Sequence, residues 1–366
     1  MRASSPDSMK SRSGYSCGVL ELYGIPVPYA FPYLGLHATR EWMRPLVAVA
    51  SQIAGLRAAL AADASLTGVA TLVWADDDAS VLQNCDVLLG EPALCGPLVD
   101  SCPNLAWLQS TFAGCNQLLT ASSRRDYTAT RLAGCFGPDM AEYTLMHVLR
   151  LERQYDELRA CQARGDWADV RSSTLADYRR LPSLTLGVLG LGDIGSDIGS
   201  AAAAGFGMRV VGCRRNAAPR ASDGAVARVF GLDDLPAFLA AADYLVSVLP
   251  STPATRGLLD GDALAACAGR SPALINVGRG DLVSEATIVA ALDRSWLRQY
   301  VGDVFAPEPL DAASPLWSHP KVTVTPHNAA VTKAEDVVAA FSENLQRYRY
   351  GGAGAVANKF RWADGY

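Results

Sequence analysis

Three side chains in the last third of the sequence could share one proton-transfer chemistry. Arg279 stands in Asn276-Val277-Gly278-Arg279-Gly280, Glu308 in Pro307-Glu308-Pro309 just after Gly302-Asp303-Val304-Phe305, and His327 in Thr325-Pro326-His327-Asn328. Each segment follows a short apolar run of strand character, and open parallel sheets gather their ligands at the carboxyl ends of strands. One reaction that would use such a set is reduction of a carbonyl beside a carboxylate, which needs a hydride at the carbonyl carbon, a proton for the developing alkoxide and a cation for the carboxylate. His327 can give the proton, because imidazolium is the acid that titrates nearest neutrality. Glu308, touching the other ring nitrogen, would favour the charged ring and fix its orientation. Arg279 can hold the carboxylate and polarise the carbonyl. In the reverse direction the neutral ring takes the hydroxyl proton. Singly, each residue has a plainer reading: a surface charge in a turn, a solvated acid between prolines, a helix-capping histidine. Their joint placement argues for chemistry. His37, His147 and His319 have no acid–base partner placed by the pattern and read as structural.

A hydride needs a carrier, and the strongest single motif supplies a place for one. Gly190-Leu191-Gly192-Asp193-Ile194-Gly195 follows the apolar run Leu184–Leu189 and opens a segment rich in Ala and Gly. The first glycine can form a tight turn, the second can let a pyrophosphate reach the backbone, and the third can let helix meet strand. The amides of Asp193 and Ile194 would then face phosphate at a helix N-terminus. Beyond the next strand, where an acid would accept the ribose hydroxyls of NAD, stand Arg214 and Arg215. A guanidinium holds a 2′-phosphate that a carboxylate would repel, so NADP(H) is the preferred cofactor and NAD(H) the other possibility.

These residues need a frame, and the sequence pattern describes one. From about Gly18 to Leu132, β-rich runs (Val19–Ile25, TLVWA, CDVLLG, LAWLQS) alternate with helical ones such as Leu56–Ala62. A long apolar-periodic segment, Met140–Arg164, reads as one connecting helix. Six further runs follow (LTLGVLG, MRVVGC, YLVSVLP, ALINVG, YVGDVF and VTVTP), which imply a parallel, doubly wound sheet. After Pro326 a helical pattern returns and ends in a Gly-rich tail expected to pack on the first domain. The expected fold is α/β in two domains: a doubly wound dinucleotide-binding sheet, residues 140–330, inserted into a flavodoxin-like substrate domain, residues 18–139 and 331–366. Residues 1–17 read as a flexible leader.

Composition narrows the partners. Of 366 residues, 50% are hydrophobic and 19% charged, which excludes a disordered chain. No run of about 18–20 apolar residues could span a bilayer. A formal charge of −5 gives no basic field for nucleic acid or anionic lipid. Nine cysteines, scattered and never spaced as CxxC, read as reduced core thiols of a cytoplasmic protein, with no metal site. The Ser-rich start, with Arg2, Lys10 and Arg12, leaves organellar targeting open.

The combined order of these segments resembles the D-isomer-specific 2-hydroxyacid dehydrogenases from about Leu105 onward. Gly165-Asp166-Trp167, Leu249-Pro250-Ser251-Thr252-Pro253-Ala254-Thr255-Arg256-Gly257 and Gly365-Tyr366 add to the likeness, the last pointing to the glyoxylate/hydroxypyruvate reductase branch. The resemblance implies NAD(P)H-dependent reduction of a small keto acid, a homodimer with Met140–Arg164 at its interface, and a cleft that closes on substrate. It also implies that Pro250, Thr255, Val277 and Gly278 line the cofactor, and that Asp303 holds the nicotinamide carboxamide. By the same likeness the amides of Ala113 and Gly114 cradle the substrate carboxylate beside Arg279 and His327, with Trp317 on the pocket wall. Asn116 departs from the family's usual Asp, which suggests a substrate loop tuned to an unusual side chain. Two other readings share the fold: an NAD-linked catabolic dehydrogenase and a dinucleotide-sensing corepressor, although no basic nuclear segment supports the second.

Overall fold

The structure is a computed structural model that describes residues 44–167, 177–218, 220 and 223–366. The expected strand Val19–Ile25, the leader, Cys17 and His37 lie outside these residues.

The first sheet is built from β1 (Leu46–Ala50), β2 (Thr71–Trp74), β3 (Val87–Gly90), β4 (Trp107–Ser110) and β5 (Thr128–Thr130), all parallel in the order β2-β1-β3-β4-β5. Every residue of β3 and β4 is buried, because helices cover both faces of a parallel sheet. Those of this half are α1 (Leu56–Ala62), α2 (Pro92–Leu98) and α3 (Leu118–Ala121). Strand β1 went unread in the sequence, where LVAVA resembles a buried helical turn as much as a strand.

The connection to the second sheet is two helices where the sequence suggested one: α4 (Gly137–Glu152) and α5 (Tyr155–Arg164). The break is at Gln154, in the left-handed region at φ 49°. Glu152 explains it: the carboxylate is buried and accepts from Tyr244 Oη at 2.7 Å and from Arg179 and Arg298. Drawing this acid inward ends α4, while Arg150 reaches across the break to Asp156 at 2.8 Å. One kinked residue leaves the apolar period almost undisturbed.

The second sheet comprises β6 (Thr185–Leu189), β7 (Arg209–Cys213), β8 (Arg228–Phe230), β9 (Tyr244–Ser247), β10 (Ala273–Asn276), β11 (Gln299–Gly302) and β12 (Val322–Val324). Their order, β12-β11-β10-β9-β6-β7-β8, is parallel throughout. The six expected strands are there; β8, three residues at the edge, is an addition. Helices α6 (Asp193–Phe206), α7 (Leu235–Ala240) and α8 (Glu285–Asp293) accompany it, and α6 packs on α4. Both sheets reverse direction in strand order, between β1 and β3 in one and between β6 and β9 in the other, and such switch points open ligand crevices.

Helix α9 (Ala334–Gly351) returns to the first sheet, where Phe341 and Tyr348 stack on Trp107 at 5.5 and 5.4 Å. The tail follows: Lys359 bridges Thr130, and Phe360 is buried in the cluster beneath β4. Among the described residues no helix is long and apolar enough to cross a membrane, and the eight described cysteines are unpaired.

Candidate active site

The glycine turn sits at the switch point of the second sheet. Gly190 has φ 108°, which side chains rarely adopt, and its amide donates to Cys213 O at 2.9 Å, joining the turn to β7. A Cβ at Gly195 would overlap the Gly190 carbonyl, so the third glycine is what brings α6 against the turn. A Cβ at Gly192 would meet nothing, and among the described residues no acceptor takes the amides of Asp193 and Ile194. An open cradle at the N-terminus of a fourteen-residue helix suits a pyrophosphate. Asp193 turns its carboxylate away, to accept from Gly134 N at 2.8 Å.

The arginine pair divides. Arg214 is buried, and its guanidinium is spent on the loop that follows: Nη1 on Asp223 Oδ1 at 2.5 Å, Nη2 on Asp223 Oδ2 at 2.7 Å and on Ala218 O, and Nε on Asn216 O at 2.7 Å. It is therefore the organiser of the loop and not an open phosphate ligand. Arg215 is the exposed one, and among the described residues its charge faces only Asp364 Oδ2, at 4.0 Å. Thr255 is likewise committed, bridging Pro250 O at 2.6 Å and Thr252 N at 2.9 Å, which shapes the loop after β9. Val277 is buried and its amide donates to Ser247 O, while Gly278 packs so closely on Leu249 that a Cβ would strike its backbone.

The three chemical residues come together. His327 Nδ1 lies 2.8 Å from Glu308 Oε2, and Glu308 Oε1 accepts from Phe305 N at 2.8 Å. Burial alone would raise the Glu308 carboxyl, but the hydrogen bonds from His327 and Phe305 and the nearby Arg279 charge hold it below its ordinary value. Arg279 is partly buried, its Nη1 donating to Gly278 O at 2.6 Å, with no carboxylate in contact among the described residues. Desolvation pulls its pKa down, which Glu308 and Asp281 partly offset. A guanidinium held with unspent donors favours an incoming anion. Gly114 lies against it: a Cβ there would overlap Nη2, so the substrate loop reaches this arginine only with glycine. The amides of Ala113 and Gly114 have no acceptor among the described residues.

Asp303 takes a part the sequence did not suggest. The side chain is almost fully buried, with Oδ1 accepting from Thr325 Oγ1 at 2.6 Å and Asn328 N at 3.0 Å, and Oδ2 from Ala329 N at 3.0 Å. Its carbonyl accepts from His327 N at 2.9 Å. Asp303 thus pins the turn in which His327 stands at φ 53°. Thr325 also meets Tyr143 Oη of α4 at 2.6 Å. Trp317 is half exposed and spends its indole N–H on Asp311 O at 2.9 Å. Asn116, where the family usually has Asp, donates Nδ2 to Ser251 O at 2.9 Å and Gly365 O at 3.2 Å. Sequence reasoning missed Arg131 altogether; it sits beyond the substrate loop with its guanidinium over the Tyr366 ring at 4.7 Å.

Two parallel sheets, one carrying a glycine cradle at its switch point and an Arg–Glu–His group at its strand ends, define a two-sheet dinucleotide-binding α/β protein. The profile of the D-isomer specific 2-hydroxyacid dehydrogenase NAD-binding domain matches residues 145–329. The chain belongs to that family. A glyoxylate/hydroxypyruvate reductase A from Enterobacter sp. (strain 638) is 36% identical over 218 residues, a stretch covering 59% of this chain and 66% of that protein. The match therefore spans just under two thirds of that relative. Among solved structures, a D-isomer specific 2-hydroxyacid dehydrogenase family protein from Aeromonas salmonicida subsp. salmonicida A449 superposes with a TM-score of 0.76 at 35% identity, over 87% of this chain and 100% of that one. An NADPH-dependent glyoxylate/hydroxypyruvate reductase from Sinorhizobium meliloti, in complex with NADP and sulfate, gives 0.77 at 27% identity, over 88% and 100%.

Proposed function

We propose that this protein reduces a small 2-keto acid, of the size of glyoxylate or hydroxypyruvate, to the D-2-hydroxy acid, with NADPH preferred over NADH. The observation that carries the reading is the Arg279 guanidinium, held with unspent donors between the Gly114 backbone and the Glu308–His327 pair. The relatives named as glyoxylate/hydroxypyruvate reductases support it.

The cradle residues fit the cofactor. Gly190, Gly192 and the amides of Asp193 and Ile194 would hold its pyrophosphate, and Arg215 its 2′-phosphate, which is the part assigned to NADP(H) once Arg214 is committed elsewhere. When bound, the nicotinamide supplies the hydride that the protein lacks. The chain's own residues do the rest. Arg279 and the amides of Ala113 and Gly114 fix the carboxylate, leaving the keto oxygen toward His327. His327, held at Nδ1 by Glu308, delivers the proton from Nε2 as the oxygen gains charge. Glu308 stays ionised and stabilises the ring while it is charged. Asp303 keeps the turn in place.

The same reading divides the chain into a substrate domain, residues 18–139 with 331–366, and a cofactor domain, residues 140–330. It makes the protein a homodimer through the α4–α5 face, where Met146, Tyr155 and Leu158 are exposed. It also places the protein in the cytoplasm, which the unpaired thiols suit.

The test is a panel of keto acids assayed with NADPH and NADH. Glyoxylate or hydroxypyruvate should be reduced with NADPH favoured, and His327→Ala should lower kcat by about 100-fold or more. A wild-type protein that binds NADPH but reduces no keto acid in the panel overturns the assignment.

A further inference from the structure

One residue beside the site has no part in the chemistry described. The tail closes back on the substrate loop, and Tyr366 lies between two contacts of that loop. Asn116 of the loop donates to Gly365 O at 3.2 Å, and Leu132, next to Arg131, donates its amide to Phe112 O at 3.0 Å. Between these anchors the Tyr366 ring lies under the Arg131 guanidinium at 4.7 Å. Gly114, two residues before Asn116 in the same loop, lies against the Arg279 guanidinium. Tyr366 thus stands beside the loop that carries Ala113 and Gly114 to Arg279. Its ring is only partly buried, and among the described residues its hydroxyl has no hydrogen-bond partner.

A phenol with no partner for its hydroxyl among the described residues, beside the loop of a keto-acid site, has one evident use. We infer that Tyr366 reads the C3 substituent of the substrate, its hydroxyl bonding a C3 hydroxyl and so favouring hydroxymethyl over methyl side chains. This rests on the keto-acid reading above and adds to it the chemistry of the side chain. The Arg131 guanidinium over the ring holds it before substrate arrives, so little rotamer entropy remains to be lost. A site that offers a hydrogen bond to a substrate hydroxyl discriminates against the analogue lacking it, because its own polar group is then left unpaired.

The experiment compares wild type with Tyr366→Phe, which keeps the ring and its stack and removes only the hydroxyl. D-Glycerate and D-lactate differ only at the C3 hydroxyl, and their binding to the protein–NADPH complex is read from the change in NADPH fluorescence. The wild type should bind D-glycerate more tightly, and Tyr366→Phe should shrink the ratio of the two dissociation constants by about tenfold, the usual worth of one hydrogen bond. The kcat/KM ratio for hydroxypyruvate over pyruvate should fall in parallel. Equal ratios in both proteins overturn the inference and leave the keto-acid reading standing. A wild type that binds NADPH but neither acid, and reduces neither keto acid, overturns both.

Discussion

At the scale of single residues, the Glu308–His327 bond and the Asp303 clamp make separable claims. Glu308→Gln keeps the shape and a hydrogen bond but removes the charge beside the imidazole, and should lower kcat for reduction by about 10–100-fold with a smaller change in KM. Steady-state kinetics at neutral pH measure the split. Asp303 should act through structure. Its carboxylate takes one hydroxyl and two amides, so Asp303→Asn turns an amide donor toward donors. We expect a loss of about 2 kcal/mol in urea unfolding, together with a fall in kcat as the His327 turn loosens. The three chemical residues were legible because their types are scarce and their places at strand ends follow from the apolar runs before them. The Asp303 clamp was not, since a carboxylate that caps backbone amides and one that binds a ligand look the same in sequence. Nor were the contacts of Asn116, whose side chain meets residues 135 and 249 positions away, which no local pattern announces.

At the scale of elements, α4 carries a titration that should be visible in stability. His147 is buried against Tyr143, with Arg150 Nη1 3.5 Å from Nδ1 and no partner for Nε2 among the described residues. Burial first, and Arg150 second, push its pKa down to about 4. The unfolded chain takes up this proton near 6.5, well before the folded ring does, so stability should fall as pH drops between the two values. About 3 kcal/mol should be lost between pH 7 and pH 4 from this group, and His147→Gln should flatten that part of the profile in urea titrations. The sequence reading of His147 as structural agrees with its burial. Most strands were equally legible: β6, β9 and β10 are buried along their whole length, so they read as unbroken apolar runs. Edge strands β5 and β8 hold three residues each, too few to carry a period. The break between α4 and α5 was hidden because it depends on Glu152 finding Arg179, Arg298 and Tyr244, partners supplied by the second sheet.

At the scale of the whole molecule, the divided arginine pair predicts two different failures. Arg215→Asp should cut the ratio of kcat/KM with NADPH over NADH by about 10–100-fold and leave stability nearly unchanged. Arg214→Ala should strip Asp223 of its buried partner and cost about 3 kcal/mol in unfolding, with both cofactors weakened together. An Arg215→Asp protein with its NADPH preference intact would remove the phosphate from that arginine. The Asn116 amide joins the substrate loop, the loop after β9 and the tail at Gly365. During synthesis the first sheet and its loop leave the ribosome long before residue 365 exists, and domains settle as they emerge. The substrate loop therefore gains its contact with the tail only after more than half the chain has been made, its amide bonded to water until then. A chain cut short of Gly365 should fold both sheets and still fail to set that loop, because the contact that joins the loop to the tail lies 249 positions away in sequence.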